Sequence, residues 1–178
     1  MLAAARELAD RDGLGALTLR AIAGHFGVQP PSLYNHIEGL DAVRRALALE
    51  GTRLLGQRFA RATAGLSKDS AVRALARVYR GFAHEHPGLH EAALSAPSLN
   101  DAEASAAASE VAEIVFAVLS GYGLEADELV HATRALRATM HGFVSIERAG
   151  GFGMPVELAE SYERAVELVL AGLNADAT

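Results

Sequence analysis

The chain has 178 residues, 51% apolar and 6% aromatic, with 16 basic against 22 acidic side chains and a net charge of −6. That length supports one or two small domains with a buried core, and the hydropathy is too high and the charge too low for a disordered chain. No stretch approaches the ~18 uninterrupted apolar residues of a membrane span, Met1-Leu2-Ala3-Ala4-Ala5-Arg6 lacks a signal-peptide profile, and with no cysteine there are no disulfides or thiolate zinc sites. A soluble, cytoplasmic, all-α protein is expected. Alanine fills 37 positions and all basic residues but Lys68 are arginine, both good helix formers, while runs of Val, Ile, Thr and Tyr are nearly absent.

Leu2, Ala5, Leu8 and Ala9 mark a first helix over 2–11, ended by Gly13 and Gly15. Thr18 stands where its hydroxyl caps a second helix that ends at Gly27. Pro30 and Pro31 sit in the first turn of a short third helix, predicted over 31–37, where missing amides cost nothing. A long helix follows from Leu40 to about Ala64, then one from Lys68 with Val72, Leu75, Tyr79 and Phe82 on one stripe. Pro87-Gly88 breaks it, and a turn of helix follows over 90–94. Asp101 or Asn100 caps a helix reaching about Tyr122, Asp127 opens one to Ala149, and Pro155–Leu173 is the last.

Two short helices joined at Gly27-Val28 after a supporting helix are the ingredients of a helix-turn-helix. Gly27 supplies the positive φ that the turn needs. Ile22, Ala23, Leu33 and Ile37 fill the interior, which leaves Gln29, Pro30, Ser32, Tyr34, Asn35 and His36 outside, with the reach and chemistry for base edges and phosphates. The run Thr18-Leu19-Arg20-Ala21-Ile22-Ala23, Phe26-Gly27-Val28, Ser32-Leu33-Tyr34-Asn35-His36-Ile37 resembles the DNA-binding domain of TetR-type transcriptional repressors over residues 3–47.

That resemblance implies DNA contacts at Arg20, Gln29, Pro30, Pro31, Ser32, Tyr34 and His36. Arg20, the Tyr34 hydroxyl and His36 would meet the backbone, and Gln29, Pro30 and Ser32 would face bases. It also implies a helix-turn-helix domain over 1–47 and a helical regulatory, effector-binding and dimerisation domain over 48–178. Three features depart from the family pattern. Leu40 stands where a phosphate-contacting lysine is usual, no basic arm precedes the first helix (a mis-assigned start would explain this), and residues 1–50 carry five arginines against six acids, a net of −1. Weak non-specific affinity and strong salt sensitivity are expected.

The last two helices carry an oligomer signature. Ala132, Ala135, Thr139, Gly142 and Ala149 form a small-residue stripe opposite Leu129, Leu136, Met140 and Phe143. In the last helix, Val156, Ala159, Tyr162, Val166, Val169 and Leu173 make one stripe, assigned with the small stripe to dimerisation, while Leu158, Ala165 and Leu168 make another. A helix apolar on two sides needs two partners, so an isologous four-helix homodimer interface is predicted. Met140-His141-Gly142-Phe143 resembles the Trp-His-Gly (WHG) type of regulatory domain within the same family, with methionine for tryptophan. His86-Pro87-Gly88-Leu89-His90 is similar to that subfamily's helix break.

The same architecture implies an effector pocket among the middle helices, with Phe59, Tyr79, Phe82, His86, Leu94, Phe116, Arg137, Met140, His141 and Phe143 as candidate linings. Arg137 and His141, four apart on one helix, could meet an anion, although a mostly apolar pocket points to a small hydrophobic or aromatic effector.

No cofactor and no metal site is expected. In His84-Glu85-His86 the histidines point to opposite sides of a helix, Pro87 interrupts, and no zincin pattern, phosphate loop or nucleophile elbow occurs, so an enzyme is not predicted. The reading is a ligand-responsive repressor that binds palindromic operator DNA as a homodimer. The alternative is a helical dimeric interaction or sensor protein whose DNA-binding module has decayed. Salt-sensitive duplex binding lost in Tyr34→Phe separates the two.

Overall fold

The computed structural model describes residues 1–176 apart from 36, 95, 96 and 99, and the side chains of 34, 35 and 176 also lie outside the description. The described residues are all-α, without strand. The helices are α1 (Leu2–Asp12), α2 (Leu19–His25), α3 (Leu40–Thr63), α4 (Lys68–Glu85), α5 (Pro87–Ala92), α6 (Ala102–Ser120), α7 (Ala126–Arg148) and α8 (Leu158–Asp176), with 3-10 turns at Leu14–Ala16 and Pro30–Asn35.

Two elements differ in kind from the sequence prediction. Where a short helix is predicted over 31–37, residues Pro30–Asn35 form a 3-10 turn, and Ile37 N closes on Leu33 O at 3.0 Å. Two successive prolines remove two amide donors, and Ser32 N closes on Gln29 O at 3.0 Å, a bond spanning three residues. The turn predicted over 90–94 is α5, which starts at Pro87 itself: proline occupies its first turn instead of merely breaking α4. The last helix begins at Leu158, which leaves Val156 outside it and exposed.

The chain divides into two compact units, 1–56 with 82–111, and 57–81 with 112–178, and α3, α4 and α6 each contribute to both. The first unit buries Ala5, Leu8, Ala9, Leu17, Ile22, Leu33, Val43, Leu47, Phe82 and Leu89. Two glycines allow α5 into this core. A Cβ on Gly88 would lie 2.5 Å from the backbone carbon of Ala9, and one on Gly51 would lie 2.6 Å from Leu89 O. Asp10 then caps α5: its Oδ1 accepts from Gly88 N at 2.7 Å and Leu89 N at 3.4 Å, while Leu14 N donates to Glu91 Oε2 at 3.3 Å. Docking the six-residue α5 thus depends on packing and on borrowed hydrogen bonds, because a helix this short cannot hold itself together.

The start of α6 is tied to α3 by ions. Arg45 donates to both oxygens of Asp101, at 2.5 and 2.7 Å, and to Glu103 Oε2 at 3.0 Å, and Arg53 meets Glu103 Oε1 at 3.0 Å. Asp101 also caps α6 through Ala104 N at 3.0 Å. The Arg45 side chain holds the Asp101 carboxyl down from 3.8 to about 2, with the Ala104 amide adding to the effect. The depressed value means that this carboxylate contributes stability above its unfolded pKa and loses it as pH falls from 3.8 toward about 2. Urea midpoints across that window should therefore fall more steeply in the wild type than in Asp101→Asn; parallel curves would show that the ion pair does not couple to folding.

In the second unit, Val72, Leu75, Tyr79, Val118, Leu119, Leu136, Met140, Val144, Tyr162, Val166 and Leu170 are buried. Polar side chains pin its helices together. Tyr162 Oη donates to Ala76 O at 2.8 Å, Tyr122 Oη donates to Asp69 Oδ1 at 2.7 Å, and Arg73 forms a bidentate pair with Glu167 at 2.6 and 2.8 Å. Arg80 pairs with Glu147, and its guanidinium carbon lies 5.6 Å from the centroid of the Tyr162 ring.

Candidate nucleic-acid interface

Thr18 Oγ1 accepts from Ala21 N at 3.0 Å and starts α2. The helix closes with Gly27 N to Gly24 O at 3.2 Å and Val28 N to Ala23 O at 3.0 Å, with Gly27 at φ +65°. That left-handed residue turns the chain sharply into Gln29–Ser32. Leu33, 3% exposed, anchors the 3-10 turn in the core that Ile22 also fills. The anchor leaves Gln29, Pro31 and Ser32 exposed and Pro30 half-buried, with Arg20 exposed on α2. Of the predicted contacts, His36 and the Tyr34 side chain lie outside the described residues. Phe26, part of the family motif but not among the predicted contacts, is exposed and meets the His25 ring edge-on at 5.2 Å.

The predicted effector residues fall into two groups. In the second unit, Phe59, Tyr79 and Met140 are buried, Phe116, His141 and Phe143 are half-buried, and Arg137 is exposed. Tyr79 Oη lies 3.3 Å from His141 Nδ1, and Ser145 Oγ lies 3.3 Å from His141 Nε2. Burial pushes the Tyr79 hydroxyl up to about 12. Burial, and then the charge of Arg137, push His141 down and favour its neutral ring. The Phe143 ring packs 5.2 Å from Tyr162 and 4.7 Å from Phe152.

Phe82, His86 and Leu94 belong to the first unit. Phe82 is fully buried, 5.7 Å from the His86 ring, and His86 reaches Asp10 Oδ2 at 3.6 Å and Glu85 Oε1 at 3.2 Å. Among the described residues, no three His, Asp or Glu side chains form a metal-ligand set. A shallow recess of about 120 Å³ between α4 and α8, lined by Arg73, Ala76, Arg77, Tyr162, Glu163, Val166 and Glu167, contains none of the predicted effector residues.

The residues assigned to dimerisation also divide. On α7 the buried side is Leu136, Met140 and Val144, and the small stripe faces outward, with Ala135 and Ala149 exposed and Ala132, Thr139 and Gly142 half-buried. On α8 the protomer itself buries Tyr162, Val166 and Leu173, while Val169 is half-buried and Val156 and Ala159 are exposed. The outward apolar side chain of α8 is Leu168, 76% exposed, from the other stripe. Two apolar stripes on one helix look alike in sequence, and the Tyr162 hydroxyl, satisfied by Ala76 O, shows which of them faces inward.

A supported, glycine-turned, solvent-facing segment on an all-α scaffold defines a helix-turn-helix regulator. Residues 1–39 match the family described as bacterial regulatory proteins, tetR family, and residues 72–169 match the tetracyclin repressor-like C-terminal domain. The chain is 36% identical to "Uncharacterized HTH-type transcriptional regulator YobS" of Bacillus subtilis over 96% of its own length and 88% of the relative's. It is 38% identical to "Uncharacterized HTH-type transcriptional regulator Rv0681" of Mycobacterium tuberculosis over 79% of its length and 65% of the relative's. Among solved structures, a TetR variant from Acinetobacter baumannii AYE in complex with minocycline superposes with a TM-score of 0.72 at 22% identity, covering 99% of this chain and 96% of that one.

The chain belongs to the TetR family of bacterial transcriptional regulators. Its relatives are regulators, not enzymes. Among the described residues, no helix is long and apolar enough to cross a membrane.

Proposed function

We propose that the protein is a repressor that binds a palindromic operator as a homodimer and is released by a small apolar or aromatic effector. Residues 1–47 act as the reading head and 48–178 as the regulatory and dimerisation domain. The observation that carries this reading is the exposed run Gln29, Pro31 and Ser32, held outward by Leu33 and Gly27. Gln29 suits a bidentate contact to adenine, and proline suits a thymine methyl. One head reads one half-site, so a dimer matches a two-fold operator.

The outward face of α7 and α8 supports the dimer. Ala135, Ala138, Ile146 and Ala149 on one helix and Leu168 on the other present apolar or small side chains to solvent. Charge placed there opposes association, so Leu168→Glu should sediment as a monomer and lose the preference for paired half-sites; a variant that stays dimeric would move the interface elsewhere.

The effector reading rests on the aromatic and polar cluster of Tyr79, Met140, His141 and Phe143, and on minocycline bound to the Acinetobacter relative. An effector needs only different affinities for two spacings of the reading heads, transmitted along α3. The operator reading is tested by enriching duplexes from a random pool on the purified dimer. A recovered palindrome, bound less tightly by Gln29→Ala, is the expected result. A pool that remains random after repeated rounds defeats it and favours the interaction protein with a decayed module.

A further inference from the structure

Binding to DNA is driven largely by neutralising phosphates, yet the reading head and the helix after it carry few cations. Residues 1–56 hold six arginines and no lysine. Four of the six are already paired with carboxylates: Arg6 with Glu50 at 2.9 Å, Arg11 with Asp12 at 2.6 Å, Arg45 with Asp101 and Glu103, and Arg53 with Glu103 at 3.0 Å. Among the described residues, Arg20 and Arg44 have no carboxylate partner. Arg20 lies on α2 and is already a predicted contact. Arg44 lies on the second turn of α3, the helix that follows the reading segment directly, and was not singled out by sequence reading.

Two observations separate Arg44 from its neighbour Arg45, and helix geometry adds a third point. Position 44 follows Leu40 by four residues, so the two share a face of α3, whereas Arg45 turns to the acids at the start of α6. Side chains on a helix lean toward its N-terminus, so position 44 covers the Leu40 turn, at the end of α3 nearer the reading segment. Arg44 Nε is shielded from solvent with no hydrogen-bond partner among the described residues, while the residue as a whole stays partly exposed. The stem is therefore partly enclosed, and the guanidinium keeps donor capacity that no carboxylate among the described residues has taken up.

Building on the operator reading, we infer that Arg44 is a phosphate-contacting residue, supplying from α3 the backbone clamp that positions the reading segment on the duplex. Guanidinium suits this role because its fork of donors matches a phosphate, and such a contact positions the protein without carrying sequence information.

The test is a salt titration by fluorescence anisotropy on a mixed-sequence duplex about three helical turns long, with wild type, Arg44→Gln, Arg44→Lys and Arg45→Gln. Each phosphate contact contributes about 0.9 to the slope of log K against log salt, so Arg44→Gln should flatten it by about 1.8 per dimer. Arg44→Lys keeps the charge and should keep most of the slope, and Arg45→Gln should leave it nearly unchanged. Circular dichroism melts of the same samples check folding, and if Arg44→Gln melts early, Arg44→Met, which keeps a long apolar stem without the charge, serves as the neutral variant with the same expected loss of slope. A wild type that binds while Arg44→Gln keeps its slope overturns this inference alone. A slope that falls as much in Arg45→Gln as in Arg44→Gln also overturns it. A wild type without salt-dependent binding to any duplex overturns the operator reading, and this inference with it.

Discussion

Gly88→Ala should destabilise the first unit by about 3 kcal/mol, the upper end of the cost of overpacking a close-fitting core. A methyl at this position would sit 2.5, 2.6 and 2.7 Å from the carbonyl carbon, Cβ and carbonyl oxygen of Ala9. Two of those atoms are α1 backbone, so no rotamer change relieves the clash, and α5 must withdraw. Withdrawal stretches the bond from Gly88 N to Asp10 Oδ1, now 2.7 Å, and exposes Leu89, which is fully buried. Asp10→Ala removes the cap without adding volume and should cost about 1 kcal/mol, the usual worth of a helix cap. Urea unfolding checks both, and a Gly88→Ala midpoint close to wild type would mean that α5 is free to shift against α1.

Leu33→Ala should cost about 3 kcal/mol from the lost burial and the cavity it leaves, and its effect on DNA binding should be larger than that figure suggests. Leu33 is 3% exposed in a 3-10 turn whose neighbours Gln29, Pro31 and Ser32 are exposed, so its side chain anchors Gln29–Ser32 to the core. Without the anchor, Gln29, Pro31 and Ser32 lose their common orientation, and ordering them on the duplex must be offset by binding energy. The expected result is loss of selected-duplex binding in anisotropy, with sedimentation still reporting a dimer through α7 and α8. Affinity within threefold of wild type would show that the segment is held by something other than Leu33.

Much of the fold was legible because its signals are local. Thr18 as a cap, Gly27 at a left-handed turn and Asp101 at the start of α6 each act within three or four residues of their position, and each performs the predicted role. The reading segment was legible as exposed for the same reason, since Leu33 and Ile22 are apolar at helical spacing around a glycine. Its backbone type was not, because the balance between α and 3-10 bonding in a six-residue stretch with two prolines is too fine for periodicity to settle. Pro87-Gly88 was read as a break, although its proline starts a helix and its glycine admits Ala9. No local signal announces a neighbour seventy-nine residues away.

The amino-acid order thus dictated an all-helical chain, the caps and turns that divide it, and the exposed polar segment after Gly27, since each depends on near neighbours along the chain. Burial depends on partners that arrive from elsewhere. On α8 the stripe assigned from sequence to dimerisation packs inward against α4 through Tyr162 and Val166, and Leu168 of the other stripe is left in solvent. Along 1–56 the sequence offers six arginines alike, and the carboxylates of Asp12, Glu50, Asp101 and Glu103 engage four of them. Charge is a property of a residue, but whether that charge remains available to a phosphate is a property of what folds beside it.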